Sequence, residues 1–384
     1  MLMVLEGQSH FLPCGVPYWG FETLNNGGSA TVPYDYHIGV DYHGSYSHLV
    51  VQDGTGRTLR SGRVKNDRHS IAAFLDRYRD NSHAVVEATR NWMVIYDWLD
   101  DICDDVVLAH PLKVKAIADA KIKTDKIDAT VLAHLLRADL VPEAWAPSEQ
   151  ARELRLALRE RMFYVRLRTM VKNRVITVFD RYPEQTVRLK KLADLFGKTG
   201  RKQLAELPVS PIDRIQIDRS LAFVDDINAR IKQSEATIRA LTRENTNVKL
   251  LKTIPGIGEF FARLIDAEID DIRRFRSAKK LAAYAGLVPS TYASGGKTYH
   301  GKIIKQGNKW LRWAFVEAIG PAVATDPQLR EQYERLKPHG SNKARVAIAR
   351  KLLTIAFQLL REQRPYEQRG HNGQGCASTI SRLS

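Results

Sequence analysis

Residues 34–65 read YDYHIGVDYHGSYSHLVVQDGTGRTLRSGRVK, and this stretch decides the fold that the sequence predicts. It contains three short runs rich in β-branched and aromatic residues, at residues 37–43, 46–53 and 57–65. Gly-Ser and Asp-Gly turn signals separate the runs. The pattern predicts a meander of three antiparallel strands.

Helices and strands are predicted to alternate after the meander. The apolar spacing predicts helices at residues 68–79, 92–101 and 124–138, and strands at 83–87 and 106–109. Three antiparallel strands followed by alternating helix and strand is the layout of an RNase H-like α/β domain, a fold class also called RuvC-like. We expect such a domain at residues 34–147, ending where Pro142 and Pro147 interrupt the helical pattern.

Residues 148–245 have a different pattern. Two long helices are predicted at residues 148–182 and 211–244, each with apolar residues repeating every three or four positions. Two such helices joined by a connector predict an antiparallel helical pair. We interpret this pair as a coiled-coil arm that acts as a spacer or in oligomerisation.

The rest of the chain completes the predicted domain organisation, and 384 residues leave room for two or three domains. Residues 246–366 carry helical patterns around a Gly- and Lys-rich segment at 290–308, which predicts a mostly α C-terminal domain. Residues 1–33 lack periodicity, and residues 367–384 are rich in Gly and Ser. We expect a disordered leader and a disordered tail there.

The chain carries 59 Lys and Arg against 43 Asp and Glu, a formal net charge of +16. The commonest partner of such a protein is a phosphate backbone, although basic proteins without a nucleic-acid ligand also exist. No stretch approaches the roughly 20 apolar residues of a membrane span. The three cysteines are too far apart for a disulfide framework or a zinc site. We therefore expect a soluble protein of the reducing cytoplasm.

Four acids are candidates for a metal site. Asp41 lies inside an otherwise apolar strand, where an unpaired charge is costly, and Glu87 ends a strand that neighbours the first one in an RNase H-like sheet. Asp125 and Asp128 are three residues apart on one helix face. Clustered carboxylates repel each other unless cations lie among them, and oxygen ligands favour Mg²⁺ or Mn²⁺. The alternative for each acid alone is a solvated surface charge.

The segment YASGGKTY at residues 292–299 is the second candidate. Ser294 lies in a Gly-flanked loop among cations and could attack a phosphodiester if a base or metal activates it. The alternative is a turn in which the serine bonds its own backbone. A P-loop is excluded because that motif needs glycine at the position of Thr291.

The string IPGIG at residues 254–258 resembles the turn of helix-hairpin-helix DNA binders, in which backbone N–H groups approach a phosphate. An ordinary turn before a helix is the alternative. Together with the basic loop, this string supplies the candidate nucleic-acid contacts. They are Gly256, Gly258, Gly295, Gly296, Lys297, Lys302, Lys305, Lys309 and Arg312.

The order of these motifs resembles that of the insertion-sequence 110 family of transposases, DEDD-type recombinases guided by a bridge RNA. The resemblance covers residues 34–366. It rests on GVDYH, VVEAT, KTDKIDA, IPGIG, GLVPS, ASGGK and HGKIIKQGNKWLRW, in that order.

The resemblance implies a catalytic tetrad of Asp41, Glu87, Asp125 and Asp128 that binds Mg²⁺ or Mn²⁺, and a nucleophilic serine that becomes joined to DNA. Many relatives have two serines before the glycine pair, whereas this chain has Ala293 and then Ser294. That difference favours Ser294, and Ser290 remains an alternative.

The implied partners are target DNA, donor DNA, a bridge RNA and further copies of the chain in a dimer or tetramer, with no membrane. The implied location is the prokaryotic cytoplasm, at the nucleoid during activity. Two other functions remain open: a junction resolvase that uses water, and a non-catalytic nucleic-acid-binding protein.

Overall fold

The structure is a computed structural model that describes residues 34–118, 124–187, 189, 192–242, 245–294, 297–304 and 307–367. At residues 186, 291–294, 297, 298 and 300 the description covers the backbone only. The expected leader at 1–33 lies outside the described residues, as does the expected tail beyond residue 367.

A five-stranded mixed sheet forms the N-terminal part of the chain. Its strands are β1 (Tyr36–Tyr42), β2 (Tyr46–Asp53), β3 (Thr58–Lys65), β4 (Ser82–Glu87) and β5 (Asp105–Ala109). The order across the sheet is β3-β2-β1-β4-β5. The first three strands are antiparallel, while β4 is parallel to both β1 and β5. This topology is compatible with the RNase H-like fold that the sequence predicts.

Among the described residues, four helices accompany the sheet: α1 (Arg68–Leu75), α2 (Trp92–Asp100), α3 (Pro111–Ile117) and α4 (Asp125–Arg137). Side chains alternate between the two faces of a strand, so each face has its own core. Ile38 and Val40 of β1 pack with residues of α1 and α2 in one cluster. Val85 of β4 packs with Leu132 of α4 in another, on the opposite face.

Helix α4 lies very close to β1 because Gly39 has no side chain. A Cβ atom built on Gly39 would lie 2.0 Å from the carbonyl oxygen of Ala129 and 2.7 Å from the amide nitrogen of Ala133. Both atoms belong to the backbone of α4, so no rotamer change can relieve the collision. Gly39 therefore sets the distance between this helix and the central strand.

In the part of the chain that the structure describes, six helices follow: α5 (Glu149–Phe179), α6 (Pro183–Thr186), α7 (Lys198–Ala205), α8 (Pro211–Leu241), α9 (Thr246–Leu251) and α10 (Glu259–Ile269). Helices α5 and α8 each have 31 residues and run antiparallel. Arg161 of α5 bonds Glu235 near the end of α8, and Arg168 bonds Asn228 closer to its middle. The two helices were predicted, and their role as a coiled-coil arm remains a prediction.

The C-terminal region is mostly helical. Its elements are α11 (Ala278–Tyr284), β6 (Pro289–Ser294), β7 (Lys297–Ile303), α12 (Lys309–Glu317), α13 (Ile319–Thr325), α14 (Pro327–Leu336) and α15 (Ser341–Glu362). Short 3-10 turns also occur along the chain, at Asp76–Tyr78, Ile272–Arg274 and Lys337–His339. The expected loop at 290–308 is instead largely an antiparallel hairpin of β6 and β7. Two runs separated by Gly-Gly are a hairpin signal, and that signal explains the difference.

Contacts group the described residues into two compact units. One contains the described parts of 1–147, 271–319 and 331–358, and the other those of 148–270, 320–330 and 359–384. In the described part of the chain, we find no helix with the length and apolar character that crossing a bilayer requires.

Candidate functional site

Asp41 and Glu87 lie side by side at the carboxyl ends of two parallel strands. Strands β1 and β4 pair in register up to Val40 and Val86, and each acid is the next residue of its strand. Asp41 is two residues beyond Gly39, and Glu87 is two residues beyond Val85. Both acids therefore belong to the face of the sheet that α4 covers.

Helix α4 brings the other two acids to this face. Its N-cap is Thr124, whose hydroxyl accepts a hydrogen bond from the backbone N–H of Ile127. Asp125 and Asp128 both lie in the first turn. The partial positive charge at a helix N-terminus lowers the free energy of carboxylates there, so the position suits two acids.

His43 connects Asp41 and Asp125. Its Nε2 atom lies 3.1 Å from Oδ2 of Asp41 and 3.2 Å from Oδ1 of Asp125. Potential ligand atoms of these three residues all lie within 4.8 Å of one another. Tyr46 donates a hydrogen bond of 2.8 Å to Oδ2 of Asp125, and the guanidinium of Arg63 lies 3.5 Å from the centre of the Tyr46 ring. A network from two strands thus fixes Asp125.

The electrostatics of the acids differ. Burial raises the pKa of Asp41, the nearby His43 lowers it, and the negative charges of Asp128 and Asp125 raise it again. The pKa of Asp125 is lowered, chiefly by the hydrogen bond from Tyr46. Asp41 is therefore a half-buried carboxylate whose charged form needs a nearby cation, which is what a divalent ion would provide.

The residues present fit a divalent metal ion. The structure brings Asp41 and Asp125 together and places Asp128 close enough for its charge to act on Asp41. Glu87 is at the adjoining register position. The assignment of these four acids as metal ligands remains a prediction.

Sequence reasoning did not identify His43 and Tyr46. His43 follows Asp41 by two residues, and this spacing on a strand puts both on one face. Tyr46 begins β2, which is antiparallel to β1, and His48 is the register partner of Asp41. Two signals in the sequence could have identified them: side chains alternate between the two faces of a strand, and an antiparallel hairpin brings the start of β2 back beside the end of β1.

Ser294 is the last residue of β6. Its register partner is Lys297, the first residue of β7, so the serine is placed at the tip of the hairpin. The side chains of Ser294 and Lys297 lie outside the described part of the structure. Gly295, Gly296 and Lys305 lie outside it altogether.

Ser290 and Arg312 lie near the base of the hairpin. A Cβ atom on Gly301 would come 2.4 Å from Oγ of Ser290, so this serine faces the opposite strand at close range. Arg312 donates a hydrogen bond of 3.2 Å to the carbonyl oxygen of Ala285. The same nitrogen lies 3.5 Å from the carbonyl oxygen of Ile304, which directly follows β7, so the guanidinium supports the hairpin base. Its role in nucleic-acid binding remains a prediction. Lys302 and Lys309 are exposed.

The IPGIG string forms a tight turn between α9 and α10. The N–H of Ile257 donates to the carbonyl of Ile254 at 3.1 Å, and Gly256 has a φ of 84°. Proline followed by a glycine of positive φ is typical of a type II turn. Gly258 is the N-cap of α10 and faces open space. The contact of this turn with DNA remains a prediction.

Two family models match this chain. One, described as "Transposase" and named for DEDD transposases of IS110, matches residues 38–183. The other, described as "Transposase IS116/IS110/IS902 family", matches residues 248–334. The first match covers the four acids and all of the sheet except the first two residues of β1, and the second covers the IPGIG turn and the β6–β7 hairpin.

Curated relatives resemble the chain over most of its length. The pilin gene-inverting protein of Moraxella bovis is 29% identical over 298 residues, which are 75% of this chain and 83% of that protein. The transposase for insertion sequence element IS1111A of Coxiella burnetii is 24% identical over 337 residues, which are 86% of this chain and 90% of that protein.

Proposed function

This chain belongs to the IS110 family of transposases, and from that premise we propose that it cuts and rejoins DNA through a covalent phosphoserine intermediate. The observation that carries the proposal is the convergence of Asp41 and Asp125 on one face of the sheet. The name of one relative states that it inverts a pilin gene. Inversion of a DNA segment requires cutting and rejoining, which agrees with this chemistry.

In the proposed mechanism, the acids position the metal and Ser294 acts as the nucleophile. Asp41 and Asp125, with Asp128 and Glu87 beside them, would hold Mg²⁺ or Mn²⁺. Such an ion supplies positive charge that stabilises the transition state of phosphoryl transfer. Tyr46 keeps the Asp125 carboxylate in one orientation through its 2.8 Å hydrogen bond.

Ser294 Oγ attacks the phosphorus atom, and the bond from phosphorus to the 3′ oxygen breaks. The proton lost by the serine hydroxyl is balanced by the proton that the departing 3′ oxygen gains, so this oxygen leaves as a hydroxyl and the 5′ phosphate stays on the serine. Attack by another 3′ hydroxyl reverses the step and releases the serine. The number of phosphoester bonds is conserved, so rejoining the DNA needs no energy from a nucleoside triphosphate.

The resemblance supports two further parts of the proposal. A bridge RNA would select target and donor DNA by base pairing, while the basic protein contacts phosphates. Two or four copies of the chain would assemble, with α5 and α8 as the arm. Sequencing the RNA that copurifies with the protein tests the first part, and light scattering tests the second.

A covalent adduct is the test of the mechanism. Protein, guide RNA and DNA that carries a nick just 5′ of the cleavage point and a label 3′ of that point are incubated with Mg²⁺. Label that stays with protein after denaturation is measured. We expect an adduct with the wild type and none with Ser294→Ala. Binding of DNA should persist in this variant, because one hydroxyl adds little to an interface with many phosphates.

Ser290→Ala is the matched control, and it should retain the adduct. If Ser290→Ala loses the adduct while Ser294→Ala keeps it, the nucleophile has been assigned to the wrong serine. If the wild type cuts DNA without any adduct, a water-using nuclease is the better description. If it binds DNA but never cuts, the protein is a binding module.

A further inference from the structure

His43 has no role in the proposed mechanism, although it lies at the centre of the acid cluster. A single atom, Nε2, is within hydrogen-bonding distance of carboxylate oxygens from both Asp41 and Asp125. A neutral imidazole has at most one proton on that nitrogen, and one proton cannot serve both oxygens well at the same time. A single cation bound by all three groups would satisfy this arrangement better than a shared proton.

The distances suit ligands that share one ion. Neighbouring ligands of an octahedral ion lie about 3 Å apart, because each is roughly 2.1 Å from the metal. The 3.1 Å and 3.2 Å distances from Nε2 to the two carboxylates are close to that spacing. His43 could thus occupy a position next to each acid around one ion.

The backbone of His43 is held in place before any ligand binds. Its N–H donates to the carbonyl of Tyr46 at 3.0 Å, and its own carbonyl accepts from Nδ2 of Asn66 at 2.6 Å. Asn66 is in turn fixed by a 2.6 Å hydrogen bond from Ser47. Such support fixes the position from which the imidazole extends, as metal-binding side chains require.

We propose that Nε2 of His43 is a metal ligand in this protein and that the nitrogen shifts the preference of the site from Mg²⁺ towards Mn²⁺. Mg²⁺ prefers oxygen ligands, whereas first-row transition metals bind imidazole more readily. The proposal rests on the proposed function, because it takes the acid cluster to be the metal site. When the metal binds, Nε2 releases to solvent any proton that it carries, and Nδ1 keeps its own.

The test observes the metal directly and does not depend on activity. The full 384-residue chain is loaded with Mn²⁺, and pulsed electron paramagnetic resonance is used to detect modulation from a coordinated ¹⁴N nucleus. We expect this modulation in the wild type. In His43→Gln it should disappear, and the dissociation constant for Mn²⁺ should rise at least about tenfold, with a smaller change for Mg²⁺.

Glutamine separates a ligand from a simple hydrogen-bonding residue. Its amide nitrogen can still donate to the two carboxylates, but it offers a metal only oxygen. His48→Gln is the matched control, because His48 is the register partner of Asp41 and its Nε2 lies 3.1 Å from the hydroxyl of Ser61. This variant should keep the nitrogen signal.

Wild-type protein that binds Mn²⁺ without nitrogen modulation overturns the proposal, even if no variant folds. Loss of the signal in His48→Gln but not in His43→Gln overturns it as well. Strand cleavage is measured separately on the same samples. Cleavage without nitrogen coordination would leave the proposed function in place, whereas nitrogen coordination without cleavage would leave only the metal site.

Discussion

Gly39 has a strict steric requirement beside the acid site. A Cβ atom there would overlap the backbone of α4, which carries Asp125 and Asp128 at its first turn. The atom 2.0 Å away is a carbonyl oxygen, and a helix backbone cannot move one atom alone. Any side chain at this position must push the helix, and two of the four acids, away from Asp41.

We predict that Gly39→Ala lowers strand cleavage about 100-fold, the usual result of misplacing catalytic groups by about 1 Å. Overpacking should also destabilise the fold by roughly 1–3 kcal/mol. Cleavage rates and thermal unfolding measure the two effects. Gly54→Ala is the control, since a Cβ atom on Gly54 meets nothing within 4 Å. Equal cleavage by both variants would contradict this account.

At the residue scale, the sequence predicted the positions of the acids better than those of their neighbours, while the role of the acids as metal ligands stays a prediction. A charge inside an apolar strand identified Asp41, and strand order placed Glu87 beside it. His43 and Tyr46 were missed because each has an ordinary explanation in a strand. Their roles depend on where α4 lies. The distance between α4 and β1 depends in turn on the contact at Gly39.

Helices α5 and α8 are joined at one end through the carboxylate of Asp213, which is 4% exposed. The hydroxyl of Tyr182 donates to it at 2.6 Å and that of Ser210 at 2.9 Å, and Arg181 forms an ion pair with it. These partners lower the pKa of Asp213, with the hydrogen bond from Tyr182 as the largest cause. The charged form is therefore favoured in the folded protein.

We predict that Asp213→Asn lowers the melting temperature at pH 7 by more than Asp218→Asn, an exposed control on the same helix. A depressed pKa means that the stabilisation is complete above the unfolded value near 3.8 and is lost as pH falls through the lower, folded value. The difference between wild type and Asp213→Asn should therefore shrink below that pH. A difference independent of pH would refute the assignment.

At the scale of elements, repeating patterns were predicted well and short segments were not. Strands and long helices have many residues that agree on one period. The connector helices α6 and α7 have too few residues to show a period. The β6–β7 hairpin was taken for a loop because its glycines and lysines suggested an irregular segment.

Net charge is the property of the whole molecule that bears on DNA binding. With a formal charge of +16, binding should depend strongly on the release of counterions from DNA. We predict that log affinity falls with log salt at a slope of about −0.9 per duplex phosphate neutralised. Fluorescence anisotropy on a DNA duplex, with salt as the variable, measures this slope.

Lys302→Ala should make the slope less steep by about 1, because Lys302 is exposed on β7 and would lose one phosphate contact. Lys337→Ala is the control, since Nζ of Lys337 lies 3.3 Å from Glu334 and is already paired. Affinity that does not change with salt would argue against binding through phosphates. An unchanged slope in Lys302→Ala would mean that Lys302 does not contact a phosphate and that the DNA-binding surface lies elsewhere.

The equal lengths of α5 and α8 restrict how this sequence can evolve. Each helix has 31 residues, so the pair extends for about 46 Å at roughly 1.5 Å per residue. A one-residue insertion in either helix rotates all residues after the insertion by about 100° around the helix axis. Charged side chains would then face the surface along which α5 and α8 pack. Surviving descendants should therefore gain or lose length by nearly whole turns, and in both helices together.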